Sequence, residues 1–137
     1  MFHRLYIEFI YYFNIERDYY ECHEVMEEYW MLEGKNKLLQ ALLQVAVGLH
    51  HFRNQNINGA IKLLEQALDK KNDRWDGYLG IEHKTLFEQS TFYLRQLYNY
   101  EKNPFPFYNL TIRITDPVLQ QLVEECVPEG VAEEDKY

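Results

Sequence analysis

Phe2, Leu5, Tyr6, Phe9 and Phe13 recur three and four residues apart and predict a first helix over about residues 2–13. Asn14 to Arg17 reads as a short connection. Asp18 opens a second helix, with Glu21 three residues later as the partner of a capping-box-like pair, and Gly34 stops it just after Glu33. Asn36 caps a third helix running to about Arg53. Leu38, Leu39, Leu42, Leu43, Val45, Ala46, Val47 and Leu49 nearly encircle it, the mark of a central, buried helix. After the polar break Asn54-Gln55-Asn56, a fourth helix runs from about Ile57 to Lys71 on the stripe Ile61, Leu64, Ala67 and Leu68.

Trp75 to Gly80 reads as a loop, followed by a fifth helix over about Ile81 to Glu101. Pro104 and Pro106 stop that helix and extend the chain. Leu110, Ile112 and Ile114 then alternate with Thr111, Arg113 and Thr115, a strand period with no obvious partner strand. This predicts an extended segment across the helices, with open hydrogen-bonding groups that a second copy of the chain would fit. Asp116-Pro117 opens a short terminal helix to about Cys126. The acidic end is expected to be a disordered tail. The domain reading is one helical domain over residues 1–127 and a tail over 128–137.

One internal echo is visible. Asp18 to Cys22, with Val25-Met26-Glu27 after it, resembles Asn56 to Ala60 with Leu63-Leu64-Glu65 after it. Each cap follows an aromatic-ended helix, at Phe13 and at Phe52. The expected fold is therefore all-α: a compact multi-helix bundle of stacked helical hairpins, tetratricopeptide-like, with a short extended C-terminal segment and a terminal helix.

Charge removes one function class. Twenty-two acidic residues against 14 basic ones give a net charge of −8, with no Lys/Arg cluster, so no nucleic-acid partner is expected. The apolar run Leu38 to Leu49 is too short to span a bilayer and contains Gln40 and Gln44, so no membrane partner is expected either. Glu8 interrupts the N-terminal apolar stretch, which argues against a signal peptide, and Cys22 and Cys126 show no paired or zinc spacing. A cytoplasmic protein with reduced, packed thiols is expected.

The candidate chemistry lies on the second and third helices. On a helical wheel, Glu21, Glu24 and Glu28 form a solvated face, and Cys22, Val25, Tyr29 and Leu32 an apolar stripe. His23 and Glu27 sit at i and i+4 in a third sector with Tyr19, Tyr20 and Trp30. Gln40, Gln44 and His51 project from one side of the otherwise apolar third helix. Buried polar groups need partners, so His23 and Glu27 are expected to face Gln44 and His51 across the helix pair. Three readings fit: a buried network fixing helix register, a divalent metal held by His23, Glu27 and His51, or a pocket in which His23 or Glu27 acts as acid, base or anchor. His50 is expected on the neighbouring apolar side as a satisfied core histidine. His3 and His83 stand without a constellation. No nucleophile triad, glycine-rich phosphate loop or dinucleotide fingerprint is present.

Two blocks carry a resemblance. One is Phe13-Asn14 with Asp18 through Trp30. The other is Leu39 through Ala46, with Gly48 through Phe52 and Asn56 through Ala60. Together they resemble the prokaryotic family known as domain of unknown function 309, over about residues 10–70. The resemblance implies a compact α-helical domain in which His23, Glu24, Glu27, Trp30, Gln44 and His51 match motif positions. Ala41 departs from it where glycine is expected. It brings no established activity. The reading is a non-catalytic helical interaction or scaffold protein with a protein partner or a second copy, and no cofactor. The alternative is a metal-dependent hydrolase or small-molecule-binding enzyme centred on His23, Glu27 and His51, with a divalent metal.

Overall fold

The computed structural model describes residues 2–131 and is all-α there, with six α-helices packed together and no strands. They are α1 Arg4–Tyr11, α2 Tyr19–Leu32, α3 Lys37–Arg53, α4 Ile57–Lys70, α5 His83–Tyr98 and α6 Pro117–Glu124. The first helix does not stop at Phe13. It continues into a π-turn, Tyr12–Glu16, so most of the expected connection is helical. Ile81 belongs to no helix: Glu82 donates its N–H to Arg113, which starts α5 later than periodicity alone suggests.

The first three connections share one device. Arg17, Lys35 and Gln55 all adopt positive φ, at 58°, 62° and 64°. Each directly precedes an Asx cap. Asp18 accepts from the Glu21 N–H, Asn36 from Leu38 and Leu39, and Asn56 from Gly59. A left-handed residue reverses the chain, and the carboxylate or amide oxygen behind it satisfies N–H groups that a helix start leaves bare. The echo between Asp18 and Asn56 is thus a repeated turn geometry.

Helix α3 packs against both α2 and α4; α1 packs on α2, α5 on α4, and α6 on α1. The α3–α4 contact is close at Gly48, where a Cβ would lie 3.0 Å from Leu64 Cγ. Ala41, the departure from the family pattern, is fully buried.

Residues 104–116 run extended across this bundle, joined to it by an antiparallel bridge between Ile81 and Ile114. Leu110 and Ile112 are buried. Several of the expected open hydrogen-bonding groups are taken up by the chain itself. Asn14 Nδ2 donates to the Ile112 carbonyl and Asn14 Oδ1 accepts its N–H, both at 2.8 Å. Arg17 donates to the Leu110 carbonyl, and Tyr93 Oη donates to the Tyr108 carbonyl at 2.9 Å. The Arg53 guanidinium lies 4.8 Å from the Tyr19 ring centre and 4.5 Å from that of Phe107, and it donates to Asn109.

Part of the expected tail is also tied down. The buried Glu8 carboxylate accepts the Gly130 N–H at 2.8 Å and pairs with Arg4 at 2.6 Å. Residues 132–137, the remainder of that tail, lie outside the described residues. Cys126 sits past the end of α6 and is half-buried, whereas Cys22 is fully buried with Sγ 3.6 Å from the Phe9 carbonyl. No helix among the described residues is long and apolar enough to cross a membrane.

Asn14 holds both backbone groups of one residue on the arm. Asn14→Ala is expected to cost about 1–3 kcal/mol and to lower Tm by several degrees in a thermal melt. An unchanged Tm would show that the arm is held without the Asn14 bonds.

Candidate functional site

The helical period of α2 places His23 and Glu27 one above the other, and they pair, Nε2 to Oε2 at 2.6 Å. The pair is not buried: its side chains are 38% and 48% exposed. Nor do Gln44 and His51 face it, as periodicity led us to expect. Gln44 is 8% exposed and turned to α4, where Nε2 donates to Gln66 Oε1 at 3.2 Å and Oε1 accepts from Lys70 Nζ at 2.8 Å. His51 Nδ1 lies 3.3 Å from Asn56 Nδ2, at the turn into α4. Seven residues are nearly two whole turns, so Gln44 and His51 do share a side of α3; that side meets α4 and its connecting turn. The expected α2–α3 network is therefore replaced by an α3–α4 one. Among the described residues, no group of three or more His, Cys, Asp and Glu is placed to hold a metal ion, so His23, Glu27 and His51 do not form a ligand set.

The histidine that α3 turns toward α2 is His50, about 100° round the helix from His51. It is half-buried, with its ring 5.8 Å from that of Tyr20 and 6.2 Å from that of His51. Desolvation lowers its pKa below the ordinary 6.5, and the neighbouring His51 and His23 push the same way. The expectation of a core histidine at position 50 is corrected accordingly.

Two other candidates lie on α2, Glu24 on its outer side and Trp30 at the edge of the core. Glu24 stands beside Tyr20 and raises the phenol's pKa through its charge. Trp30 is half-buried, with its indole N–H enclosed and without a partner, and Lys35 Nζ lies 5.9 Å from its ring centre. Leu32, expected in the buried stripe, is the last residue of α2 and stands 62% exposed.

Around this face lies an open cleft of about 520 Å³. Tyr20, Glu24, Glu27, Glu28 and Met31 line it, together with Glu21 and Val131. Tyr20 and Met31 are 51% and 59% exposed. The wheel had placed Tyr20 near His23; Met31 gave no signal, because a methionine between two helix faces reads as neutral. His83 was also missed. It is buried at the start of α5, and that burial lowers its pKa. A lone histidine carries no pattern from which a sequence could reveal this.

Comparison with known proteins fixes the family. The profile described as "Domain of unknown function (DUF309)" matches residues 6–63. The uncharacterized protein YpuF of Bacillus subtilis (strain 168) is 30% identical over 132 residues, covering 92% of this chain and 74% of that protein. The chain belongs to the DUF309 family. An uncharacterized protein of Aquifex aeolicus (strain VF5) is similar over a shorter stretch, 33% identical over 67 residues, or 47% of this chain and 20% of that one. No solved structure matches. The match runs from Tyr6 within α1 to Leu63 within α4 and so takes in the α2 face, both α3 histidines and the three capped turns of this DUF309 domain.

Exposure sets the stability expectation. An exposed i,i+4 pair contributes little, so His23→Ala and Glu27→Gln are each expected to change stability by less than about 1 kcal/mol, read as a small Tm shift. A loss of several degrees would mean that the pair holds the fold after all. A pH expectation follows from His50 and His83. Both pKa values are lowered in the folded state. Below about 6.5 the unfolded chain takes up protons that the folded chain resists, so stability falls as pH drops through that value and levels off below the folded-state pKa. Tm is expected to fall between about pH 7.5 and about pH 5.5, and a His50→Gln/His83→Gln variant to show a flatter profile. An equal slope in the variant would assign the effect elsewhere.

Proposed function

We propose that this DUF309 protein is a non-catalytic helical interaction module whose α2 face engages a partner protein through a cationic segment bearing apolar side chains. One observation carries the reading: Tyr20 and Met31 stand about half exposed among Glu24, Glu27 and Glu28. Large apolar side chains ringed by polar groups are the usual surface of a protein-binding site, and aromatic anchors supply much of the binding energy there. The carboxylates would steer a basic partner and set its register. The net charge of −8 acts in the same direction.

The reading of the bundle as stacked hairpins supports this. The α2–α3 and α3–α4 packing and the shared turn geometry are what a tetratricopeptide-like stack needs, and such stacks present extended faces to partners. The two free cysteines, one fully buried, suit a cytoplasmic setting. A metal-dependent hydrolase centred on His23, Glu27 and His51 has less behind it, because His51 is engaged at the α3–α4 turn, away from the α2 pair.

A photoreactive residue in place of Met31 tests the reading in cells. It is expected to capture one partner protein, joined through a lysine- or arginine-rich segment. Tyr20→Ala combined with Glu24→Lys is expected to abolish the capture. Capture no different from that at the exposed Lys62, or capture through an acidic segment, would overturn the proposal.

A further inference from the structure

A second cleft, of about 350 Å³, opens where the end of α4, the turn Asp73–Trp75 and the start of α5 meet. Its chemistry is set by a histidine. His83 is 2% exposed and lines the cleft. Its Nε2 lies 2.7 Å from the Tyr78 carbonyl oxygen. A carbonyl only accepts, so Nε2 carries the proton and Nδ1 presents a bare lone pair. That Nδ1 is buried and receives no hydrogen bond. Buried acceptors are rarely left so, and each such case asks for an explanation. The ring stacks on Phe87, with centres 6.5 Å apart and planes 18° apart, and Trp75 meets Phe87 from another side at 6.2 Å.

Charge selects the class of ligand. Asp73, Asp76 and Glu88 line the cleft, against Lys71 and Lys84. The start of α5 and the two lysines would suit an anion. A carboxylate or sulfate, however, has no proton to offer Nδ1, and any anion would lie among three carboxylates. A cation bearing N–H groups meets neither objection. Burial keeps the imidazole neutral, and therefore an acceptor, by lowering its pKa.

We propose that this cleft binds a small organic cation with N–H donors, a primary ammonium or a guanidinium. It donates one hydrogen bond to His83 Nδ1, places its charge among Asp73, Asp76 and Glu88, and sets its apolar part beside Phe87 in the cleft wall. The site is remote in sequence from the α2 face and does not depend on the partner reading.

Titration of ¹⁵N-labelled protein with benzylammonium tests it, with benzyl alcohol and benzoate as neutral and anionic counterparts. Benzylammonium is expected to bind with a Kd on the order of a millimolar. It should shift the backbone amides of Lys84 and Phe87 and move the His83 Nδ1 nitrogen resonance as that lone pair takes up a hydrogen bond. Asp73→Asn combined with Glu88→Gln, both at exposed positions, is expected to weaken binding by about tenfold while leaving the rest of the spectrum in place. The proposal fails if benzyl alcohol or benzoate binds as tightly, if the charge-removing variant binds unchanged, or if no saturable shift appears at these residues.

Discussion

Helix α3 gives little of its surface to water. Eleven of its 17 residues are buried, among them Gly48 and the polar Gln44. A helix in that position must be covered along most of its circumference, and the fold follows from the need to cover it. Helix α2 takes one flank and α4 another, and α5 backs α4. Beneath the arm, Phe52 at the end of α3 meets Phe105 and Phe107 at 5.0 and 6.0 Å between ring centres. The polar cost is met locally. Gln44 is satisfied by Gln66 and Lys70, one turn apart on α4, so the amide acts as a register pin for that pair. Close approach at Gly48 then leaves little room for α4 to slide.

Turn chemistry makes this covering possible in so few residues. Three connections reverse the chain through a left-handed residue followed by an Asx cap, although none of Arg17, Lys35 and Gln55 is a glycine. Each carries some backbone strain, offset by capping N–H groups that would otherwise go unsatisfied. These caps were legible in the sequence because Asp18, Asn36 and Asn56 each stand directly before a periodic apolar run. The apolar stripes were legible for the same reason. The π-turn after α1 was not, since its apolar residues keep a spacing that an α-helix would also use.

Periodicity tells which residues share a side of a helix but not which neighbour that side meets. Gln44 and His51 were correctly grouped and then assigned to the wrong helix. His50, grouped with the core, turned out to lie against Tyr20. The arm shows the same limit at longer range. Its alternation was plain, but its holders, Asn14 and Arg17, lie more than 90 residues away in sequence. No local pattern links such residues. The unpaired nitrogen of His83 is harder still to foresee, because it depends on a carbonyl five residues earlier pinning the opposite ring nitrogen.

The exposure of His23 and Glu27 changes what their presence means. A buried pair would be explained by the fold, since removing either partner would orphan the other. A pair on a solvated helix face is worth little to stability, because solvent screens the charges and ordering two side chains costs entropy. Yet His23, Glu24 and Glu27 sit in the block that carries the family resemblance, and all three lie within the matched region. Helix α2 meets its structural duty with Cys22, Val25, Met26 and Tyr29, all buried, and with the Asp18 cap. The outer side of the helix, with His23, Glu24 and Glu27, contributes little to that core. The fold consumes most of α3 and one side of α2; what it leaves at the surface of α2 is Tyr20 and Met31 among the carboxylates of Glu24, Glu27 and Glu28.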